Sequence, residues 1–123
     1  MSERRRVVVT GLGVVTPLGI HLEEFWDGLT AGRSGIEPIH LFSASDVPVR
    51  GAGQISSDDW NTIRERYPDE AVTEGERRTL FALAAAESAL DDAKLGASPA
   101  DPWRAGVSLA AGVWLGIKAL RMA

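Results

Sequence analysis

The chain of 123 residues contains no cysteine. Without thiols, the sequence cannot form disulfide bonds, build a zinc site on cysteine or use a thiol nucleophile of its own. Histidine is nearly as scarce, since only His21 and His40 occur and neither has a second histidine at helical spacing. Isolated histidines of this kind are typical of exposed loops and helix starts. We therefore expect neither a metal site nor a cofactor in this chain.

A long apolar run and an excess of positive charge are also missing. No segment approaches the roughly 20 apolar residues of a membrane span, and the first residues lack an apolar stretch of signal-peptide length. The formal net charge is −4, whereas surfaces that bind nucleic acids or membranes are usually basic. The sequence predicts a soluble, cytoplasmic protein without either kind of partner.

A glycine-rich segment follows the most apolar stretch near the N-terminus. Val7–Val9 is a β-branched run, and Gly11 and Gly13 follow it directly. Such a run predicts a strand that is buried on both faces, and the glycines predict a tight turn. A Gly-x-Gly turn after a strand also suggests a dinucleotide site. That fingerprint fails here, because Thr16 and Pro17 stand where a third glycine and a helix start are needed.

Three helices are predicted from apolar spacing and capping residues. The first has an apolar face made by Leu22, Phe25, Trp26 and Leu29 and ends at Gly32. The second starts at Ser56 or Ser57 and ends at Pro68. The third begins with a capping box at Thr73–Glu76 and ends at Gly96. Its predicted core stripe consists of Leu80, Leu83, Ala86, Leu90 and Ala93.

The remaining elements predict an α/β architecture. A weak extended piece at Val49–Ile55 contains two glycines and suits a sheet edge. Arg104–Gly112 predicts a second buried strand that runs into a glycine turn. Two buried strands joined by a helix form a right-handed, parallel β–α–β connection. Val113–Ala123 has the pattern of an unfinished helix.

No constellation of residues predicts an assembled active site. The acidic pairs Glu23-Glu24, Asp58-Asp59 and Asp91-Asp92 are adjacent in sequence, so their side chains point in different directions on a helix. No serine lies in a Gly-x-Ser-x-Gly elbow. The chemistry of these residues alone therefore identifies no catalytic group.

An ordered series of short motifs nevertheless resembles one family. The stretch 5–19 reads Arg-Arg-Val-Val-Val-Thr-Gly-Leu-Gly-Val-Val-Thr-Pro-Leu-Gly, and matching motifs recur at 25–29, 31–36, 77–78, 83–95 and 104–109. Together they resemble the opening of the β-ketoacyl-ACP synthases, which include the 3-oxoacyl-ACP synthase II type and the type II polyketide ketosynthases. The resemblance covers about 5–112. Residues 1–123 are therefore interpreted as one truncated N-terminal domain with a divergent tail at 113–123.

The resemblance implies part of a thiolase-like fold. Val7–Leu12 would be its first strand, Thr73–Leu95 its crossover helix and Gly106–Ala111 its second strand, so that two buried parallel strands pack against helices. It also implies a decarboxylative Claisen condensation of an acyl thioester with malonyl-ACP, in fatty-acid or polyketide synthesis. The implied partners are acyl carrier protein, acyl and malonyl thioesters, and a second synthase subunit in a dimer.

The catalytic residues of that family fall outside this chain. The family uses a cysteine and two histidines, and neither His21 nor His40 lies in a matching motif. No catalytic residue is therefore assigned, and the chain alone is predicted to be inactive. Gly112 and Val113 match a loop that borders the acyl pocket, where Trp114 replaces a glycine. A truncated or frame-shifted gene would explain this change.

Two further expectations follow from the resemblance. A non-catalytic homologue that binds an acyl carrier protein or a full-length synthase is the alternative interpretation. Because so few strands and helices of the fold are present, we also expect the isolated chain to be marginally stable or to associate.

Overall fold

A computed structural model describes residues 6–73, 76–96 and 101–110. These residues form helices and one small sheet. The elements in chain order are α1 (Leu22–Thr30), β1 (Ile36–Pro38), β2 (Gly51–Gly53), α2 (Ser57–Arg66), α3 (Pro68–Thr73) and α4 (Arg77–Asp92), followed by a 3₁₀ turn at Pro102–Arg104. Among the elements described, no helix has the length and hydrophobicity that a membrane crossing requires.

The buried core is small and lies where α4 packs against α2 and α3. Its buried apolar residues are Ile20, Ile63, Leu80 and Ala84. Five partly buried side chains surround them: Val15, Trp60, Tyr67, Ala71 and Phe81. Because burial of apolar area is the main source of folding free energy, a core of this size gives limited stability.

Helix α1 forms where the sequence predicts it. Gly32 adopts a left-handed backbone with φ of 67°, and the Arg33 N–H donates to the Gly28 carbonyl at 2.9 Å, so the predicted glycine stop is confirmed. The predicted apolar face is wrong in part, because Trp26 and Leu29 are exposed. The physical reason is that α1 packs against none of the other described helices or strands.

The sheet consists of β1 and β2 in antiparallel register. Ile36 pairs with Gly53, and Pro38 pairs with Gly51. The extended piece that the sequence places at a sheet edge is confirmed as β2. Its partner β1 was not predicted, because Pro38 and the polar residues before it are typical of a turn.

The two predicted buried strands are not strands in the described chain. Residues 7–12 and 105–110 have no assigned strand, and they expose their apolar side chains. Val7 is 93% exposed and Val107 is 98% exposed. A strand needs neighbouring strands to satisfy its backbone hydrogen bonds, and the described residues place none beside either segment. Among the described residues the one sheet is therefore the short antiparallel pair of β1 and β2, and the expected parallel pair is not shown.

Helix α2 begins and ends as predicted, but the start of α4 differs. Ser56 caps α2 by accepting a hydrogen bond from the Asp59 N–H at 3.0 Å, and the helix ends before Pro68. Pro68 then starts α3, since proline suits the first position of a helix. Because α3 continues to Thr73, the predicted capping box is wrong. The N-cap of α4 is Glu76, which makes no side-chain cap.

The C-terminus of α4 also differs from the prediction. Lys94 adopts the left-handed backbone, with φ of 55°, two positions before the expected Gly96. The Lys94 N–H donates to the Asp91 carbonyl at 3.0 Å, and the Leu95 N–H donates to the Leu90 carbonyl at 2.9 Å. These two hydrogen bonds satisfy carbonyls of the last helical turn. Glycine is the residue that usually occupies the left-handed position in this arrangement.

The predicted core stripe of α4 is only partly correct. Leu80 is buried, whereas Leu83, Ala86 and Leu90 are exposed. The helix is buried instead along Leu80 and Ala84, and its alanines contact the glycine-rich N-terminal segment, as described below. A single apolar stripe in the sequence marks one buried face of a helix. It gives no sign of the second face of α4, which contacts Gly11 and Gly13. The predicted helix Val113–Ala123 lies outside the described residues.

Candidate functional site

The glycine-rich segment, residues 11–19, packs directly on the backbone of α4. A Cβ added at Gly13 would lie 1.9 Å from the Ala85 carbonyl oxygen. One added at Gly11 would lie 2.2 Å from the Ala89 carbonyl oxygen. Real side chains never approach a backbone this closely, so the contact requires glycine at both positions.

A hydrogen bond fixes the glycine-rich segment at the end of α4. The Leu12 N–H donates to a carboxylate oxygen of Asp92 at 2.9 Å. Asp92 is the last residue of α4, where the helix dipole disfavours a negative charge. Its bond to the Leu12 N–H offsets that cost, and Asp92 is therefore a positioning residue that sequence reasoning did not find.

Thr16 and Gly19 form a closed turn within the same segment. The Thr16 N–H donates to the Gly19 carbonyl and the Gly19 N–H donates to the Thr16 carbonyl, both at 3.1 Å. The Thr16 hydroxyl accepts a further hydrogen bond from the Leu18 N–H at 3.2 Å. Thr16 thus uses its polar atoms to close the turn, which explains why the segment departs from the dinucleotide-binding pattern.

A mainly apolar groove of about 560 Å³ lies between α4 and the segment 105–110. Its apolar lining consists of Phe81, Ala82, Leu83, Ala86, Val107, Leu109 and Ala110. At its rim, Arg78 forms an ion pair with Glu76. In the sequence, the predicted acyl-pocket residues Gly112 and Val113 follow shortly after Ala110, which lines this groove. Both lie outside the described residues, so their role stays a prediction.

A second cavity, of about 290 Å³, lies beside the glycine-rich segment and carries both signs of charge. Its charged and titratable lining residues are His21, Glu23, Arg66, Asp91 and Asp92. The Arg66 guanidinium also lies 3.5 Å from the Glu87 carboxylate, which places that cation in an ion pair. The mixed lining gives no preference for an anion or a cation.

Tyr67, the C-cap residue of α2, pairs through its hydroxyl with Glu87 of α4. Burial raises the pKa of Tyr67 to about 12, and the hydrogen bond that its hydroxyl donates to Glu87 at 2.5 Å adds to the effect. A phenol with this pKa remains protonated at neutral pH. Among the described residues, no group of three or more His, Asp or Glu side chains could hold a metal ion.

Arg77, part of one family-like motif, stacks between two aromatic rings. Its guanidinium carbon lies 4.2 Å from the ring centroid of Trp60 and 5.6 Å from that of Phe81. The two rings meet edge to face with centroids 5.9 Å apart. This cluster joins α2 to α4 through cation–π and aromatic contacts. The sequence contained no periodic signal for it.

The sequence matches the model of the β-ketoacyl synthase N-terminal domain over residues 4–121. The chain therefore belongs to the β-ketoacyl synthase family, and the resemblance found in the sequence is confirmed. It corresponds to the N-terminal portion of a synthase of that family.

Among its relatives, the granaticin polyketide putative β-ketoacyl synthase 1 of Streptomyces violaceoruber is 43% identical, over 89% of this chain and 25% of the relative. The 3-oxoacyl-[acyl-carrier-protein] synthase 2 of Synechocystis is 38% identical, over 96% of this chain and 27% of the relative. The tetracenomycin polyketide synthase ketoacyl synthase beta subunit of Streptomyces glaucescens is 41% identical, over 91% of this chain and 27% of the relative. The chain thus spans about a quarter of the length of the curated relatives it matches.

Proposed function

We propose that this chain contributes to a decarboxylative Claisen condensation, in which an acyl thioester is extended by a malonyl unit carried on acyl carrier protein. The similarity to a 3-oxoacyl-[acyl-carrier-protein] synthase supports this substrate class. Loss of CO₂ from the malonyl thioester would give a carbanion that attacks the acyl carbonyl and displaces its thiolate. The pathway is either fatty-acid or polyketide synthesis, and the location is the cytoplasm.

The observation that carries the proposal is the pair of exposed apolar segments beside α4. Residues 7–12 reach the helix through the glycine contacts, and residues 105–110 reach it through the apolar groove. Both segments have no assigned helix or strand and leave large apolar side chains in solvent, with Leu109 76% exposed. Surface of this kind marks a contact with another polypeptide segment.

The rest of a synthase is the polypeptide that would pair with these two segments. In the proposed arrangement, residues 7–12 and 105–110 become parallel strands of a thiolase-like sheet, and α4 is the crossover helix between them. Strands added from the rest of the synthase would pair with their free backbone groups and cover their valines. Gly112 and Val113 would then continue from the second strand into the acyl pocket.

The chain does not perform this chemistry alone. It contains no cysteine to take the acyl group, and the nucleophile and its two histidine partners come from the remainder of the synthase. Acyl carrier protein and a second synthase subunit are the proposed macromolecular partners. The role of this portion is to provide two strands, their crossover helix and one border of the acyl pocket.

A complementation experiment tests the proposal. The chain is mixed with the separately expressed remainder of the Synechocystis synthase and supplied with acyl-ACP and malonyl-ACP. The CO₂ that is released measures the condensation. We expect activity only when both parts are present. Activity of the mixture equal to that of the remainder alone would contradict the proposal.

Matched variants connect that activity to the exposed segments. Val8→Asp places a charge on one segment and should abolish complementation. Val72→Asp is the control, because Val72 is also an exposed valine, 86% exposed against 69% for Val8, but lies on α3, outside both segments. Equal activity of the two variants would show that the segments do not pair with the remainder.

A second candidate function is that of a non-catalytic partner subunit. The similarity to a relative named as a beta subunit favours it. In that case the chain binds an intact synthase or an acyl carrier protein without replacing any part of the synthase. Co-purification with full-length synthase, together with failure to complement the remainder, would identify this function.

A further inference from the structure

Gln54 connects the sheet to the loop that joins its two strands. It is the buried polar residue of the described chain, with 7% of its surface exposed. Its Oε1 accepts hydrogen bonds from the backbone N–H groups of His40 and Leu41, at 3.2 and 3.3 Å. Its Nε2 donates to the Pro38 carbonyl at 3.1 Å. These three backbone contacts determine which end of the amide is oxygen and which is nitrogen.

The orientation of this amide determines which nitrogen of the His40 ring carries a hydrogen. Gln54 Nε2 also lies 3.1 Å from His40 Nδ1. Because Nε2 can only donate, Nδ1 must accept and cannot carry a hydrogen. The imidazole is therefore neutral in this arrangement, with its proton on Nε2.

Protonation of His40 would put two donors face to face. An imidazolium carries hydrogens on both nitrogens, so Nδ1 could no longer accept from Gln54. Glu37 offers the replacement, because its Oε1 lies 3.6 Å from the same Nδ1. The nearby cation Arg50 donates to the Ala44 carbonyl at 2.9 Å and makes no contact with the ring among the described residues.

We propose that His40 is a pH-sensitive latch on the loop 39–50. The neutral ring is bound to Gln54 and holds the start of the loop against β2. The protonated ring leaves Gln54 and pairs with Glu37 on β1, which loosens the backbone bonds that Gln54 accepts from the loop. Leu41 and Phe42 follow directly and are exposed, so the latch controls the position of two apolar side chains. This inference is independent of the proposed synthase function.

Nitrogen-15 NMR of the histidine rings of the full 123-residue chain tests the latch. At pH 8, we expect the His40 Nδ1 signal to be that of an unprotonated nitrogen and the Nε2 signal that of a protonated one. From pH 8 to pH 5, the amide exchange rate of Leu41, divided by its intrinsic rate, should rise about fivefold, as expected for weakening of one hydrogen bond.

His21 provides the matched control. It is exposed at the start of α1 and makes no side-chain cap, so His21→Gln should leave the Leu41 response unchanged. His40→Phe should remove the response. Glu37→Gln removes the negative charge that pairs with the protonated ring and should shift the Leu41 response to lower pH. A His40 ring that carries its hydrogen on Nδ1 at pH 8, or a Leu41 response that survives His40→Phe, would overturn the proposal.

Discussion

Gly13→Ala is the substitution that most directly tests the contact between the N-terminal segment and α4. The new Cβ would lie 1.9 Å from the Ala85 carbonyl oxygen and 2.8 Å from the Ala89 backbone nitrogen. A carbon normally stays about 3.3 Å from a carbonyl oxygen, so the segment must retreat by more than about 1 Å. Both obstructing atoms belong to helix backbone and cannot rotate away.

The cost of that retreat can be estimated from two alternatives. If the segment stays, the overpacking costs about 1–3 kcal/mol. If it moves away, the hydrogen bond from the Leu12 N–H to the Asp92 carboxylate is lost, at about 1.5–3 kcal/mol for a charged partner. Because the chain adopts whichever alternative costs less, the free energy of unfolding should fall by about 1–3 kcal/mol. That is a large fraction of the stability of a domain with so small a core.

Urea unfolding followed by circular dichroism measures this loss, and amide exchange at Leu12 locates it. Gly96→Ala is the matched control, because a Cβ there meets nothing within 4 Å. The control should change the free energy of unfolding by less than about 0.5 kcal/mol. If Gly13→Ala unfolds at the same urea concentration as the control, the segment does not rest on α4 and the reasoning is refuted.

Three further measurements test other contacts. Lys94→Gly should raise the free energy of unfolding, measured in urea, by about 1 kcal/mol, because glycine adopts the left-handed backbone without the strain that lysine has there. Equal stability of the variant and the original chain would refute this. Ser56→Ala removes the cap of α2 and should cost about 1 kcal/mol, whereas the neighbouring, exposed Ser57→Ala should cost much less. In the folded chain Tyr67 keeps its proton up to a pKa of about 12, whereas the unfolded chain releases it near pH 10. Stability should therefore fall as the pH rises from 10 to 12, and a slope that Tyr67→Phe leaves intact would contradict the assignment.

The elements that form through contacts between residues close in sequence could be predicted from the sequence. α1 and its Gly32 stop, the Ser56 cap and the end of α2 before Pro68 follow from spacing, capping and the missing N–H of proline. The extended piece at β2 followed from its alternation. None of these features needs a distant part of the chain to form.

The elements that depend on distant partners could not be predicted in the same way. Val7–Val9 has the composition of a buried strand, yet it is exposed because a strand is buried only when other strands and helices lie over it. The positions of Asp92 and Gln54 depend on contacts with backbone groups remote in sequence, for which no short motif exists. The family could be identified because its motifs keep their order and spacing, whereas the absence of its catalytic residues from this chain stays a prediction.

The hydrogen bond between Leu12 and Asp92 also sets an order of events during synthesis. Its two residues are separated by 80 positions, so the N-terminal segment cannot reach its site until the end of α4 has left the ribosome. At about 5–20 residues per second, the N-terminal segment waits roughly 4–16 s without its contact to α4. Because Val7, Val8 and Val9 stay exposed after that contact forms, the contact fixes the position of the run but does not cover it, and the run remains an apolar segment of the kind that chaperones bind.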